Sequence, residues 1–200
     1  MTGWWVTVLM SLNKAASTLT PPLKQQLLES ARESINKGLC GKTLTVNASD
    51  FPEPLRLPRA TFVTLHVDGK LHGCIGTLDV RKPLVEDVVS NAWSAAFQDS
   101  RFPALTWPEY EKLEIHISIL SSPESMSFSS EAELLAQLRP QVDGLILEDG
   151  HHRGTFLPSV WEQLPSPNEF LRQLKLKAGL EADYWSSHLR VQRYTAESIP

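Results

Sequence analysis

The sequence predicts an α+β protein, mainly antiparallel β-sheet with flanking helices. The prediction rests on a strong hairpin signal at 59–77, an alternating strand at 113–119, and amphipathic helices that stand apart from the strands. No strand-helix-strand pattern recurs, so a doubly wound parallel sheet is disfavoured.

Taken in order, Thr20-Pro21-Pro22 precedes Leu23, Leu27, Leu28, Ala31 and Ile35, which share one helical face. Proline suits a first turn, where its missing N–H has no partner to lose. Gly38 and Gly41 are expected to end that helix. Asp50, Pro52, Pro54 and Pro58 mark a loop over 43–58, with a short strand expected at 43–46. Residues 59–67 are rich in β-branched side chains and read as a strand. Asp68-Gly69 follows, a dipeptide that accepts the positive φ angles of a tight hairpin turn. The return strand is expected at 70–77.

Pro83 opens a helix through about 98, with Leu84, Val88, Ala92, Ala95 and Ala96 on one face. A loop spans 99–108. Leu113, Ile115, Ile117 and Ile119 alternate with Glu114, His116 and Ser118, the mark of a half-buried strand. A short helix is expected at 131–138, strands at 145–148 and 154–157 around Asp149-Gly150, and one or two helical turns at 158–164. Ser166-Pro167-Asn168-Glu169 reads as a capping box opening a helix to Ala178, with Gly179 as its stop. Arg172, Lys175 and Lys177 alternate with leucines and read as that helix's solvated side. A last strand is expected at 189–194.

Composition narrows the function. The chain has 200 residues, enough for one large domain or two small lobes. Its net charge is -4 and no basic run occurs, so a nucleic-acid partner is disfavoured. Two cysteines make no disulfide framework, which favours a reduced, cytoplasmic setting. The apolar run 4–10 is too short to span a bilayer and lacks a preceding cation and a cleavage site. Residues 1–19 are therefore read as a flexible leader, and 20–196 as the folded domain. No membrane association is expected.

The chemistry-bearing residues gather at the hairpin 65–77. A simple two-residue turn pairs Val67 with Lys70, Leu65 with His72 and Val63 with Cys74. His72 and Cys74 then share a face, and His66 lies on the other. Gly73 and Gly76 flank the cysteine, and glycine within a strand points to a bulge or a close approach. Three readings of Cys74 stay open. It is a nucleophile polarised by His72, a metal ligand with His72, or a small buried hydrophobe. No Cys-x-x-Cys or His-x-x-x-His completes a metal set, so no metal is assigned.

Asp99-Ser100-Arg101-Phe102-Pro103 is the second unusual segment. Asp99 and Arg101 either brace a structural corner, with Phe102 in the core, or leave Arg101 free to hold a carboxylate or phosphate. His116, on the polar side of its strand, is either solvated or a further binding contact. His151-His152 reads as turn-flanking polarity. No phosphate-binding loop, dinucleotide fingerprint, serine-hydrolase elbow or zincin motif is present.

Four collinear segments carry a resemblance: 71–77 (LHGCIGT), 99–106 (DSRFPALT), 154–163 (GTFLPSVWEQ), and Phe170-Leu171 with 177–180 (KAGL). They resemble the AMMECR domain family, also called protein A of the AmmeMemoRadiSam system, over roughly 22–194. The resemblance implies an α+β fold of two lobes and a candidate site at the Gly-Cys-Ile-Gly segment. It also implies company: a Memo-like protein and a radical SAM protein. The chain departs from the family's Leu-Arg-Gly-Cys-Ile-Gly pattern, because His72 stands where the Arg would be. An anion held by that Arg would be held here only by a protonated His72.

The leading expectation is an accessory component of a redox or radical modification system. Its cleft, lined by His72, Gly73, Gly76, Cys74, Asp99 and Arg101, would receive a small molecule or a modified macromolecule. The alternatives are a thiol-dependent enzyme with Cys74 as nucleophile, and a non-catalytic scaffold presenting tryptophans such as Trp107 or Trp161.

Overall fold

The structure, a computed structural model, describes residues 19–200. The expected leader falls outside the described residues, except for Leu19, which is buried. Two antiparallel four-stranded sheets each carry their own helices, giving the two-lobed α+β architecture.

The first lobe comprises helix α1 (Pro21–Leu39), a 3-10 turn (Ala48–Asp50), the single turn α2 (Glu53–Arg56), strands β1 (Thr61–Val67) and β2 (Lys70–Gly76), helix α3 (Leu84–Phe97), the turn α4 (Trp107–Tyr110) and strand β3 (Leu113–Leu120). The second comprises β4 (Glu124–Ser125), α5 (Glu131–Gln137), β5 (Gly144–Asp149), β6 (His152–Phe156), a 3-10 segment (Pro158–Glu162), α6 (Pro167–Lys177) and β7 (Arg190–Tyr194). Strand β8 (Ala196–Ile199), which the sequence did not reveal, returns to the first lobe and pairs with β3. The sheet orders are β2-β1-β3-β8 and β4-β7-β5-β6.

Both cores follow from binary patterning. Val63, Leu65, Ile115 and Ile117 point from the first sheet onto α1 and α3, where they meet Leu27, Ala31, Ile35, Val88 and Ala92. The helices cross closely at Gly38, where a Cβ would lie 2.2 Å from the Phe97 ring. Gly38 is thus inside α1, and the helix stops at Gly41 with φ +70. Asp87 of α3 ties the helix to β1: its carboxylate accepts from Thr61 N (3.0 Å), Thr61 Oγ1 (2.6 Å) and Asn91 Nδ2 (2.9 Å). Burial pushes that carboxyl upward, and the bonds from Thr61 and Asn91 pull it back. Its role is structural.

In the second lobe Trp161 is fully buried and stacks on Phe170 with centroids 3.8 Å apart. Its Nε1 donates to Asp143 O at 2.6 Å. The expectation of an exposed Trp161 is therefore wrong, while Trp107 is exposed. The solvated reading of α6 fails at Lys175, which is completely buried and donates to Glu131 Oε2 at 2.9 Å. A long apolar stem lets lysine cross the core edge while its head finds a carboxylate. Two smaller expectations also change. Residues 43–46 form no strand, and the Ser166 side chain makes no cap hydrogen bond. A capping box does occur at Thr106, whose N–H donates to Glu109 Oε2 at 2.9 Å.

The lobes meet through a small apolar cluster of Ala60, Leu120, Ile146 and Tyr194, with Phe62, Leu78 and Leu157 against it. The Tyr194 hydroxyl donates to Phe156 O at 3.0 Å, and burial pushes it up to about 12. Beside this joint a cleft of about 390 Å³ opens between Phe62, Gly76, Thr77, Arg153, Thr155 and Lys177. No described helix is long and apolar enough to cross a membrane.

The Lys175–Glu131 pair yields a test. Removing one partner of a buried pair costs about 3–5 kcal/mol. Glu131 is 35% exposed, so water offsets part of that loss and about 2 kcal/mol is expected for Glu131→Ala. Lys175→Met removes the charge and keeps the stem's volume, and is expected to cost under ~1 kcal/mol. Urea denaturation that ranks Lys175→Met as the worse change would refute this account.

Candidate functional site

The hairpin turn forms as its sequence demands, with positive φ at Asp68 (50) and Gly69 (71). Val67 pairs with Lys70 and His66 with Leu71. Beyond that the simple register breaks: Leu65 pairs with Gly73, Thr64 with Cys74 and Val63 with Ile75. His72 is the extra residue of a β-bulge. The expected Leu65–His72 and Val63–Cys74 pairs are thus corrected by one position, and one position flips a side chain to the other face.

The consequences are local and definite. Gly73 now falls on the helix-covered face with Leu65, where its missing Cβ would sit 2.1 Å from Ala95 O. Cys74 falls on the opposite face with Thr64, and its Sγ lies 3.2 Å from Thr64 Oγ1. His66 shares that face two residues along from Thr64, so its expected separation from Cys74 is also corrected. His116 is the cross-strand partner of Thr64, and the His66 and His116 rings meet edge-on at 5.2 Å. Cys74, Thr64 and His116 therefore form a row across three strands.

His72 is 8% exposed and stacks on Phe102 at 6.2 Å. Its Nε2 is buried with no hydrogen-bond partner. The thiol's hydrogen-bond neighbour is Thr64, and His72 makes no recorded bond to it.

Strand β2 is a sheet edge, so alternate residues present an unpaired N–H and C=O. At Cys74 both are taken up. Its N–H donates to Asp99 Oδ2 at 2.9 Å, and its carbonyl accepts from an Arg101 terminal nitrogen at 3.2 Å. Arg101 also grips Asp99 through Nε (2.9 Å) and that terminal nitrogen (2.6 Å). The two side chains stand in for a neighbouring strand at one residue. Arg101 holds a carboxylate, and it is the internal one. The corner differs from expectation in its apolar anchor: Leu105 enters the core, while Phe102 lies against His72 and under Arg101.

The Arg101 hydrogen bonds hold the Asp99 carboxyl far below the ordinary carboxylate range, against its burial, with the Cys74 N–H adding to the effect. Gly76, two residues on from Cys74 and on the same face, lines the inter-lobe cleft. A Cβ there would lie 2.3 Å from the Phe62 ring, so only glycine lets that ring cross the strand. Across the cleft, Lys177 donates to Thr155 O at 2.9 Å with its ammonium 5.0 Å from the Phe156 centroid. The residue is exposed as a whole. Local desolvation, then the Arg101 charge, still hold its pKa below the usual lysine value, and the Cys74 charge acts in the opposite sense. From sequence Lys177 reads as part of the solvated side of its helix and was not assigned to the site; the basic stretch 172–177 and the KAGL segment were the signals. Among the described residues no group of three or more His, Cys, Asp or Glu could hold a metal.

The family model described as AMMECR1 matches residues 28–199. A protein of Methanothermobacter thermautotrophicus is 36% identical over 177 residues, covering 86% of this chain and 90% of that one. One of Thermotoga maritima is 40% identical over 160 residues, covering 78% and 86%. The crystal structure of an uncharacterized protein from Pyrococcus horikoshii, PH0010, superposes with a TM-score of 0.83 at 31% identity, covering 90% of this chain and 92% of that one.

Two substitutions probe the clamp. Asp99→Asn loses the charge and is expected to cost about 2 kcal/mol at pH 7. The folded pKa lies well below that of an ordinary aspartate, held there by the Arg101 hydrogen bonds, so the unfolded state takes up the proton first. The contribution is complete above about pH 5 and is lost as pH falls from there toward the folded value. The deficit of the variant should therefore shrink at pH 3 in urea titrations; a constant deficit contradicts the assignment. Gly73→Ala is expected to cost at least about 2 kcal/mol, because helix backbone must move; an unchanged denaturation midpoint contradicts the bulge packing.

Proposed function

The chain belongs to the AMMECR1 family, and from that premise we propose that the inter-lobe cleft beside Cys74 is its working site. In this reading Cys74 is the contact thiol, Gly73 and Gly76 shape its strand, Asp99 and Arg101 hold its backbone, and His116 completes the row behind it. The occupant is a small molecule or a modified macromolecule. The protein then serves as an accessory component of a redox or radical modification system, with a Memo-like protein and a radical SAM protein as its partners.

One observation carries the reading. The backbone of Cys74 is clamped on both its N–H and its C=O, while the residue is part-exposed and stands two positions along the same strand face from Gly76, which lines the open cleft. A merely structural cysteine is usually sealed among apolar neighbours. Rigid support under a reachable group is what a binding or reactive site needs. His72 takes a supporting place in this reading, since it packs on Phe102 below the strand.

A thiol-dependent enzyme is the second reading. It is favoured by the Sγ–Thr64 Oγ1 contact at 3.2 Å, with His116 opposite Thr64. That row offers the thiol proton a route away from a reacting sulfur.

The test is labelling of the native protein with iodoacetamide, followed by peptide mass analysis. Cys40, which is exposed and free, is the reference within the same chain. Cys74 is expected to react without denaturant, and Cys74→Ser is expected to weaken capture of the Memo-like or radical SAM protein. Labelling of Cys74 only after unfolding would sink both readings. Labelling at neutral pH much faster than at Cys40 would favour the enzyme.

A further inference from the structure

We infer that the cleft recognises a ligand carrying a small oxyanion, a carboxylate or a phosphoryl group, held by Lys177 and Arg153 and directed at Cys74. The inference rests on Cys74 being the contact thiol, and adds the chemical class of what meets it.

The argument begins from the charges around the cleft. Arg153 lines it and is paired through Nε with Glu148 at 3.0 Å; a guanidinium has further N–H donors for a second partner. Asp79, the acidic lining residue, is paired with Arg81 at 2.6 Å. Arg101 is neutralised by Asp99. Lys177 differs. Its ammonium donates to a neutral carbonyl, Thr155 O, and no carboxylate lies within ion-pair distance of it among the described residues. The uncompensated charge of the cleft is therefore positive, in a chain whose net charge is -4. Composition does not produce that local excess.

Lysine at a helix C-terminus has an ordinary explanation, since it complements the helix dipole. Lys177 closes α6, but its ammonium reaches across to β6 and lies over Phe156, away from its own helix's last carbonyls. It occupies one of its three donors there and keeps two for another partner. Desolvation and the Arg101 charge both disfavour its charged form. An incoming anion offsets both by charge attraction and meets two cations at once. Gly76, two residues along the same strand face from Cys74, lines the cleft that Lys177 also lines, so an anion held by Lys177 sits on the side of the strand that carries the thiol.

Iodoacetate and iodoacetamide provide the test, because they differ in one charge and share one reaction. In each, the thiolate sulfur attacks the CH2 carbon, the S–C bond forms, the C–I bond breaks and iodide leaves. The iodoacetate-to-iodoacetamide rate ratio at Cys74, divided by that at Cys40, cancels intrinsic reactivity. The quotient is expected to be about fivefold or more, the factor that ~1 kcal/mol of charge interaction supplies. Lys177→Met is expected to lower it toward one, and Lys177→Arg to restore it, which separates charge from misfolding. Rising salt is expected to lower it as well. Inorganic phosphate and acetate, added as competitors, tell the sources apart: stronger suppression of iodoacetate labelling by phosphate assigns a phosphoryl ligand, and by acetate a carboxylate. A quotient near one in the wild type, or one unchanged in Lys177→Met, overturns the inference. Failure of both reagents at Cys74 would instead overturn the contact-thiol reading itself.

Discussion

Everything at the candidate site depends on two hydrogen bonds to one backbone unit. Strand β2 is an edge, and an edge residue must find partners for its outward N–H and C=O or leave them to water. At Cys74 those partners are Asp99 and Arg101. The pair arrives from the C-terminal end of α3, the helix whose Ala95 carbonyl presses on Gly73. Helix packing, strand edge and cysteine backbone are thus one mechanical unit. Movement of α3 would move the thiol, and loss of the Asp99–Arg101 pair would free the strand.

The bulge at His72 is the second half of that unit. Without it the parity of the strand would turn Cys74 toward α3 and place Gly73 at the open face. A glycine at 73 is needed only because the shifted register brings that position under the helix. Gly76 is needed for the same kind of reason at the other end, where Phe62 crosses the strand on its way to the inter-lobe cluster. Both glycines concern what approaches the strand. Neither has a positive φ.

The fold was legible where one physical signal acted alone. The alternation of Leu113, Ile115, Ile117 and Ile119, the Asp68-Gly69 turn and the amphipathic face of α3 each specify an element through local pattern, and each formed. Illegible features depended on distant partners. The bulge needs α3 above it, and a two-residue turn reads identically with or without a bulge three residues later. Lys175 looks solvated by sequence because its carboxylate, Glu131, lies 44 positions away. Trp161 looks available until Phe170 and Asp143 O are brought to it. Strand β8 is short and carries Glu197 and Ser198 at its centre, so only pairing with β3 makes it a strand. At the site, Asp99, Arg101 and Cys74 were legible as unusual, whereas the identity of the thiol's neighbours was not. The sequence neighbour His72 lost that place to Thr64, because register decides which side chains meet.

Two lobes joined by a small apolar cluster explain why the cleft lies where it does. Each sheet covers one face with its own helices and leaves the other without a helical layer. Phe62, Ile146, Leu157 and Tyr194 close part of the space between those two faces. The remainder, edged by Gly76 and Thr77 on one side and Arg153, Thr155 and Lys177 on the other, stays open where charged side chains meet the apolar Phe62 and Leu78. Apolar side chains there would have extended the joint and buried the thiol. Charged ones carry a desolvation cost that rises as the lobes approach. On the proposed reading of the site, the residues that keep the lobes apart also keep the approach to Cys74 open, and that openness is a property of charge as much as of shape.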